Sequence, residues 1–242
     1  MNVTTNKIIV SGFEVQVVRK AIKNLHLSVH PPEGKVRISV PAHVSDDQVR
    51  LTIVSRLPWI RKRQAAFIAQ PRQSVREMVS GESHYLFGKR YRLEVVERRG
   101  KHGVVVKNTT TLLLVVNPGT TTTNRLLVLN DWYRAQLKEC IPALLDHWQK
   151  KIGVETTAWG VKRMKTRWGS CNTGKKRILI NLELAKKPPV CLEYIVVHEL
   201  VHLLERNHND RFRGFLDGFL PTWQLSRDVL KREPLSHDDW VD

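Results

Sequence analysis

The 242-residue chain has little cysteine, few acids and no long apolar run. Its three cysteines, Cys140, Cys171 and Cys191, are widely spaced and form no C-x-x-C pair. That pattern excludes a disulfide framework and a cysteine-held zinc, and it suits a reducing compartment, so a cytoplasmic protein is expected. Cys171 reads as a small buried apolar residue. Apolar runs reach only five residues, as at Leu112–Val116, against the ~18 that a membrane span needs. The first residues, Met1–Lys7, are polar, so neither secretion nor membrane insertion is expected. No phosphate-binding glycine loop and no multi-carboxylate magnesium site is present. No repeat period stands out.

Acids are scarce enough to matter. Forty Lys and Arg face 23 Asp and Glu, a net charge of +17. Residues 1–107 hold 20 basic and 8 acidic side chains, and residues 108–242 hold 20 and 15. Within the second part, Lys162–Arg177 carries seven basic residues and no acid. Such a field attracts anions. It fits either a solvated surface or a polyanionic partner, of which nucleic acid is the commonest.

Alternating apolar residues from Lys7 to Val40 predict half-buried antiparallel strands, with a turn at Pro31–Gly34. Ser45-Asp46-Asp47 caps a helix expected to reach about Gln70, which Pro58 should kink or divide. A second β-rich stretch runs from Tyr85 to Val116 and ends at Pro118-Gly119. A long helix is expected from Asn124 to about Ile152, with Pro142 interrupting its pattern. The change from strand to helix patterning places a boundary near 120–125. The reading is an α+β protein, with a β-rich part over 1–122 and a metal-dependent hydrolase domain over 123–242.

The chemistry gathers between Pro188 and His208, where three of the ten histidines fall within eleven residues. Proline suits a first helical turn, and the apolar residues that follow favour a buried helix. On it His198 and His202 stand one turn and about 40° apart, so both imidazoles can reach one ion. Glu199 projects about 100° from His198, free to act on a water. Chance would produce about 0.02 H-E-x-x-H matches in a chain of this composition. A catalytic zinc needs a third protein ligand. His208 is the first candidate, returned to the ion if Asn207 adopts a left-handed conformation. Glu205 is the rival, on the same helical face but ~4.5 Å further along the axis. The remaining histidines are scattered.

Arg167-Trp168-Gly169-Ser170-Cys171, Ile178-Leu179-Ile180-Asn181-Leu182, His198-Glu199-Leu200-Val201-His202 and Asn207-His208 together resemble the YgjP-like metallopeptidase family, which is related to the SprT and WLM peptidase domains. The likeness is dense over roughly residues 160–225. It implies a zincin-like fold, one zinc or similar ion on His198, His202 and His208, and Glu199 as catalytic acid and base. One departure is Arg213, where an aromatic residue commonly follows the position of Phe212.

Turn chemistry at Asn172-Thr173-Gly174-Lys175 predicts a hairpin of Lys165–Cys171 with Arg177–Leu184. Ile178–Leu182 is either an edge that receives an extended peptide or a core strand. Trp168 is either a stacking platform for a base or a core residue. The leading expectation is a metallopeptidase acting on a peptide or protein. The alternatives are a metal-dependent phosphohydrolase of the nucleotide pyrophosphatase type and a nucleic-acid-associated protein.

Overall fold

A computed structural model describes residues 4–30, 34–69, 76–164 and 167–232. They fall in two compact units, Met1–Gln73 and Ser74–Ser236. No helix among the described residues is long and apolar enough to cross a membrane.

The first unit is a four-stranded sheet with two helices. Strands β1 (Thr4–Val10), β2 (Phe13–Arg19), β3 (His26–His30) and β4 (Lys35–Val40) lie in the order β1-β2-β4-β3. Ser11 and Gly12, both with positive φ, close the β1–β2 hairpin, as a two-residue turn of matching twist requires. The expected strands are present, but the all-antiparallel expectation fails, because β2 and β4 pair in parallel. Alternation reports which face is buried and is silent on strand direction. The expected turn at Pro31–Gly34 lies, except for Gly34, outside the described residues. Helix α1 (Asp46–Ser55) opens on a capping box between Ser45 and Gln48. Pro58 then sits in the first turn of α2 (Leu57–Ala69), so the single expected helix is divided; Gln70 lies outside the described residues. Val15, Val17, Ile38, Val49, Ile53 and Ile60 form the centre of this unit's core.

The second unit begins with the same strand plan. Strands β5 (Ser83–Leu86), β6 (Lys89–Glu97), β7 (Gly103–Val106) and β8 (Thr111–Val116) lie in the order β5-β6-β8-β7. In both sheets the two central strands are parallel and both outer pairs antiparallel. This repeated topology has no counterpart in a sequence period. Helix α3 (Thr122–Ile152) follows, capped by Thr121 and ended by Gly153 with φ 78°. Pro142 does not end it. Proline removes one backbone bond there, and buried Leu137, Ile141 and Leu145 hold the helix through the gap.

Three strands come next: β9 (Ala158–Lys162), β10 (Gly169–Asn172) and β11 (Arg177–Asn181), in the order β10-β11-β9. The expected hairpin is therefore present but shorter; Lys165 and Thr166 lie outside the described residues, and Leu182–Lys186 forms a 3-10 turn. Helices α4 (Pro189–Val201), α5 (Asp210–Phe219) and α6 (Trp223–Arg232) complete the unit.

One core joins Leu93, Leu112 and Leu114 of the sheet to Leu137 of α3 and Val197 of α4. The chain accordingly parts at residues 73 and 74, not at the expected 122/123 boundary. Strands β5–β8 cannot bury their inner face without α3, so the two patterns belong to one unit. The whole is a mixed α/β architecture.

Candidate metal centre

Helix α4 is apolar on nearly every side, and Cys191, Leu192, Ile195, Val196, Val197, Leu200 and Val201 are all buried. A helix without a polar face is held by its surroundings, which makes its last turn a rigid mount. His198 and Glu199 lie in that turn, and His202 is its C-cap.

Beyond His202 the chain tightens, with Leu203 and Leu204 donating to Leu200 and Val201, and then reverses into α5. The reversal does not use a left-handed Asn207, contrary to the sequence expectation; Asn207 has no positive φ. Instead the Glu205 carboxylate accepts the Asn207 N–H at 3.0 Å, and Asn209 caps α5 through the Phe212 N–H. The Glu205 carboxylate is thereby occupied with the loop backbone. Its carbonyl oxygen meets His202 Nδ1 at 3.1 Å, which leaves Nε2 of that ring to face the site.

His208 returns to the two helical histidines. One ligand nitrogen from each of His198, His202 and His208 lies within 4.8 Å of the others. Nε2 of His198 and Nε2 of His208 stand 3.1 Å apart. Two nitrogens on one tetrahedral zinc at 2.0–2.1 Å are separated by about 3.3 Å, so the spacing fits a shared ion. Burial pushes His198 down to about 3, with the neighbouring His202 and His208 adding to it, and burial also lowers His202. Neutral imidazoles are the form that binds metal. The buried His198 Nδ1 has no hydrogen-bond partner among the described residues. The three histidines could hold a divalent cation.

The sequence position of Phe212 carries no mark of a site residue. Its ring centroid lies 4.9, 4.7 and 4.8 Å from those of His198, His202 and His208, and the side chain is buried. It forms an apolar floor under all three imidazoles, restricting their rotation and excluding water from beneath. Arg213 points elsewhere, pairing with Asp210 one turn away.

Glu199 is 4% exposed. Burial pushes its carboxyl up to about 8, and the charge of Arg167 works against the rise. Its side chain runs against the backbone of β10. A methyl group on Gly169 would stand 2.8 Å from both Cγ and Cδ of Glu199 and closer still to Oε1. Gly169 is therefore the residue that makes room for this carboxylate. A glycine inside a strand is the sequence sign of such a close approach, though it does not name the neighbour.

Asn181 fixes the segment before β10. Its Nδ2 donates to the carbonyls of Met164 at 2.8 Å and Arg167 at 2.7 Å, its Oδ1 accepts the N–H of Met164 and Glu183, and its own N–H donates to Trp168 O. Trp168 packs against the core with Lys187 Nζ 5.9 Å above its ring, which is the core reading. Strand β11 is paired on both sides, with β10 and with β9, and Ile178 and Ile180 are buried. It is a core strand and cannot receive a peptide by edge pairing; the edge beside Glu199 belongs to β10.

The model of one protein family, the YgjP-like metallopeptidase domain, matches residues 23–233. Among solved structures, the metallopeptidase zymogen of Pyrococcus abyssi abylysin matches with a TM-score of 0.34 and 17% identity, covering 39% of this chain and 99% of that one. No curated protein matches the sequence.

Proposed function

From the premise that this chain belongs to the YgjP-like metallopeptidase family, we propose that it is a zinc-dependent peptidase in which His198, His202 and His208 hold the ion and Glu199 moves the proton. The observation that carries the reading is the convergence of three histidine nitrogens within 4.8 Å, one residue from a buried carboxylate. A zinc ion bound there supplies Lewis acidity, which polarises a carbonyl and lowers the pKa of water.

The protein's own groups do the rest. Glu199 takes a proton from the attacking water and returns it to the leaving amine. Its burial favours the protonated form, and a divalent charge among the imidazoles would offset that preference, so the carboxyl is suited to both taking and giving the proton. Gly169 and the strand behind it hold the carboxylate in one place. Phe212 and the Glu205 carbonyl set the ring planes of the histidines. The free edge of β10 offers backbone groups to an extended peptide beside Glu199. The phosphohydrolase alternative gains no support from the family.

Zinc-loaded protein should hydrolyse casein-type peptides and leave nucleoside triphosphates intact. Glu199→Gln should retain the ion and the fold and lose hydrolysis by about 10³-fold or more. Triphosphate cleavage without peptide cleavage would overturn the proposal.

A further inference from the structure

Between Glu155 and Glu183 the chain has seven basic residues and no acid. Its described residues form the three-stranded sheet beside α4 and the turns that join the strands. Strand β10 has one partner, β11, and among the described residues its other edge carries no strand.

Cations stand at both ends of that edge. At the start, Gly169 touches Glu199, and exposed Arg167 lies two residues earlier, its carbonyl fixed by Asn181. At the far end, Asn172 Oδ1 accepts the Lys175 N–H at 2.9 Å and closes the turn, so that exposed Lys175 and Arg177 flank it, Arg177 opposite Asn172 in register. The two ends are about six residues apart, roughly 20 Å of extended chain. Arg167, Lys175 and Arg177 form no ion pair among the described residues, and the charge of Arg167 is felt at Glu199 beside it. Lys176 lines a groove of about 630 Å³ on the same unit, together with Asp146, Lys150 and Glu155.

We propose that the substrate is an acidic polypeptide segment, laid along the β10 edge with one acidic side chain at Arg167, next to the bond cleaved, and a second at Lys175 and Arg177. The proposal rests on the peptidase reading of the site. Two features favour a peptide over a nucleic acid. An open strand edge matches the N–H and C=O groups of an extended peptide, for which a phosphate backbone has no counterpart. Trp168, the aromatic residue beside the edge, is partly buried against the core with Lys187 over its ring, which leaves less of it for stacking on a base. The Arg167 guanidinium can engage a carboxylate through two parallel hydrogen bonds, which sets the position of the acid as well as its sign.

The experiment uses the full-length Glu199→Gln protein, zinc-loaded, and fluorescence anisotropy with labelled peptides ten residues long. One carries two Glu spaced six residues apart, a second has both Glu adjacent, and a third has Gln at both positions. The spaced peptide should bind about tenfold more tightly than the Gln peptide, and the gain should shrink as salt rises. Adding Arg167→Gln should remove about fivefold, and Lys175→Gln with Arg177→Gln a similar factor. Equal affinity for all three peptides overturns the proposal, as does equal affinity for the spaced and adjacent peptides. An oligonucleotide of equal charge that binds more tightly through the same residues also overturns it, in favour of a nucleic-acid surface. Wild-type protein incubated with the same peptides separates the two claims. Cleavage without acid preference defeats this inference alone, whereas acid preference without cleavage defeats the peptidase reading and leaves the surface assignment standing.

Discussion

Gly169→Ala is the substitution whose effect follows most directly from the geometry. The added methyl would lie 2.8 Å from Cγ and Cδ of Glu199 and closer to Oε1, where relaxed carbon contacts sit near 3.5–4.0 Å. One side must move by about 1 Å. Glu199 is buried, and Val196, Val197, Leu200 and Val201 around it on the helix are buried too, so the movement strains either β10 or the carboxylate rotamer. Overpacking of this kind costs about 1–3 kcal/mol. A displacement of that size at a proton-transfer group costs on the order of 10²-fold in rate. Denaturant unfolding and peptide hydrolysis measure the two effects separately. A double-mutant cycle isolates the cause: in a Glu199→Ala background the methyl meets no carboxylate, so the stability cost of Gly169→Ala should fall to a few tenths of a kcal/mol. A wild-type hydrolysis rate for Gly169→Ala, or the same stability cost in both backgrounds, would refute the account of how Glu199 is held.

Three further outcomes are expected. Asn181→Ala should lower stability by about 2–4 kcal/mol in thermal unfolding, because the carbonyls of Met164 and Arg167 lose their donor together; an unchanged melting temperature would count against its role as the anchor of this segment. His84 is buried, and that burial, with the charge of Arg76, holds its pKa at about 4 against the pull of Glu82. A histidine whose folded pKa lies below the unfolded value contributes its full stability above pH 6.5 and loses it as pH falls toward 4, on the order of 3 kcal/mol; the difference in unfolding free energy between wild type and His84→Gln should narrow over that window. Phe212→Ala should leave three histidines in place but loosen their rings, weakening zinc binding by about tenfold in competition with a chelator.

What the sequence discloses is set by the range of the interaction. The spacing of His198, Glu199 and His202 is a local property of one helix, so their shared turn is legible before any fold is known. His208 is legible as a candidate because it follows within one loop. The device that returns it, the Glu205 carboxylate on the Asn207 N–H, is not, since a left-handed asparagine would serve equally well. Strands β1–β4 are visible from alternation and β5–β8 as a β-rich stretch, whereas the parallel pairs β2–β4 and β6–β8 depend on crossovers that leave no local trace. The same limit hid the edge role of β10: both strands of a hairpin look alike until the third strand, β9, takes one side of β11. Phe212 and Gly169 carry ordinary signals, one apolar and one small, and acquire meaning from neighbours that only the fold supplies.

The most direct test of the central claim is the metal content of the purified chain, measured by elemental analysis and calorimetric titration of the apoprotein with zinc. Wild type should bind one ion per chain, His198→Ala, His202→Ala and His208→Ala should each lose it or weaken it by 10²-fold or more, and Glu205→Ala, whose carboxylate serves the loop, should weaken it far less. Stoichiometric zinc retained at wild-type affinity in the three histidine variants would contradict the account, and loss in Glu205→Ala with retention in His208→Ala would give the third ligand position to Glu205.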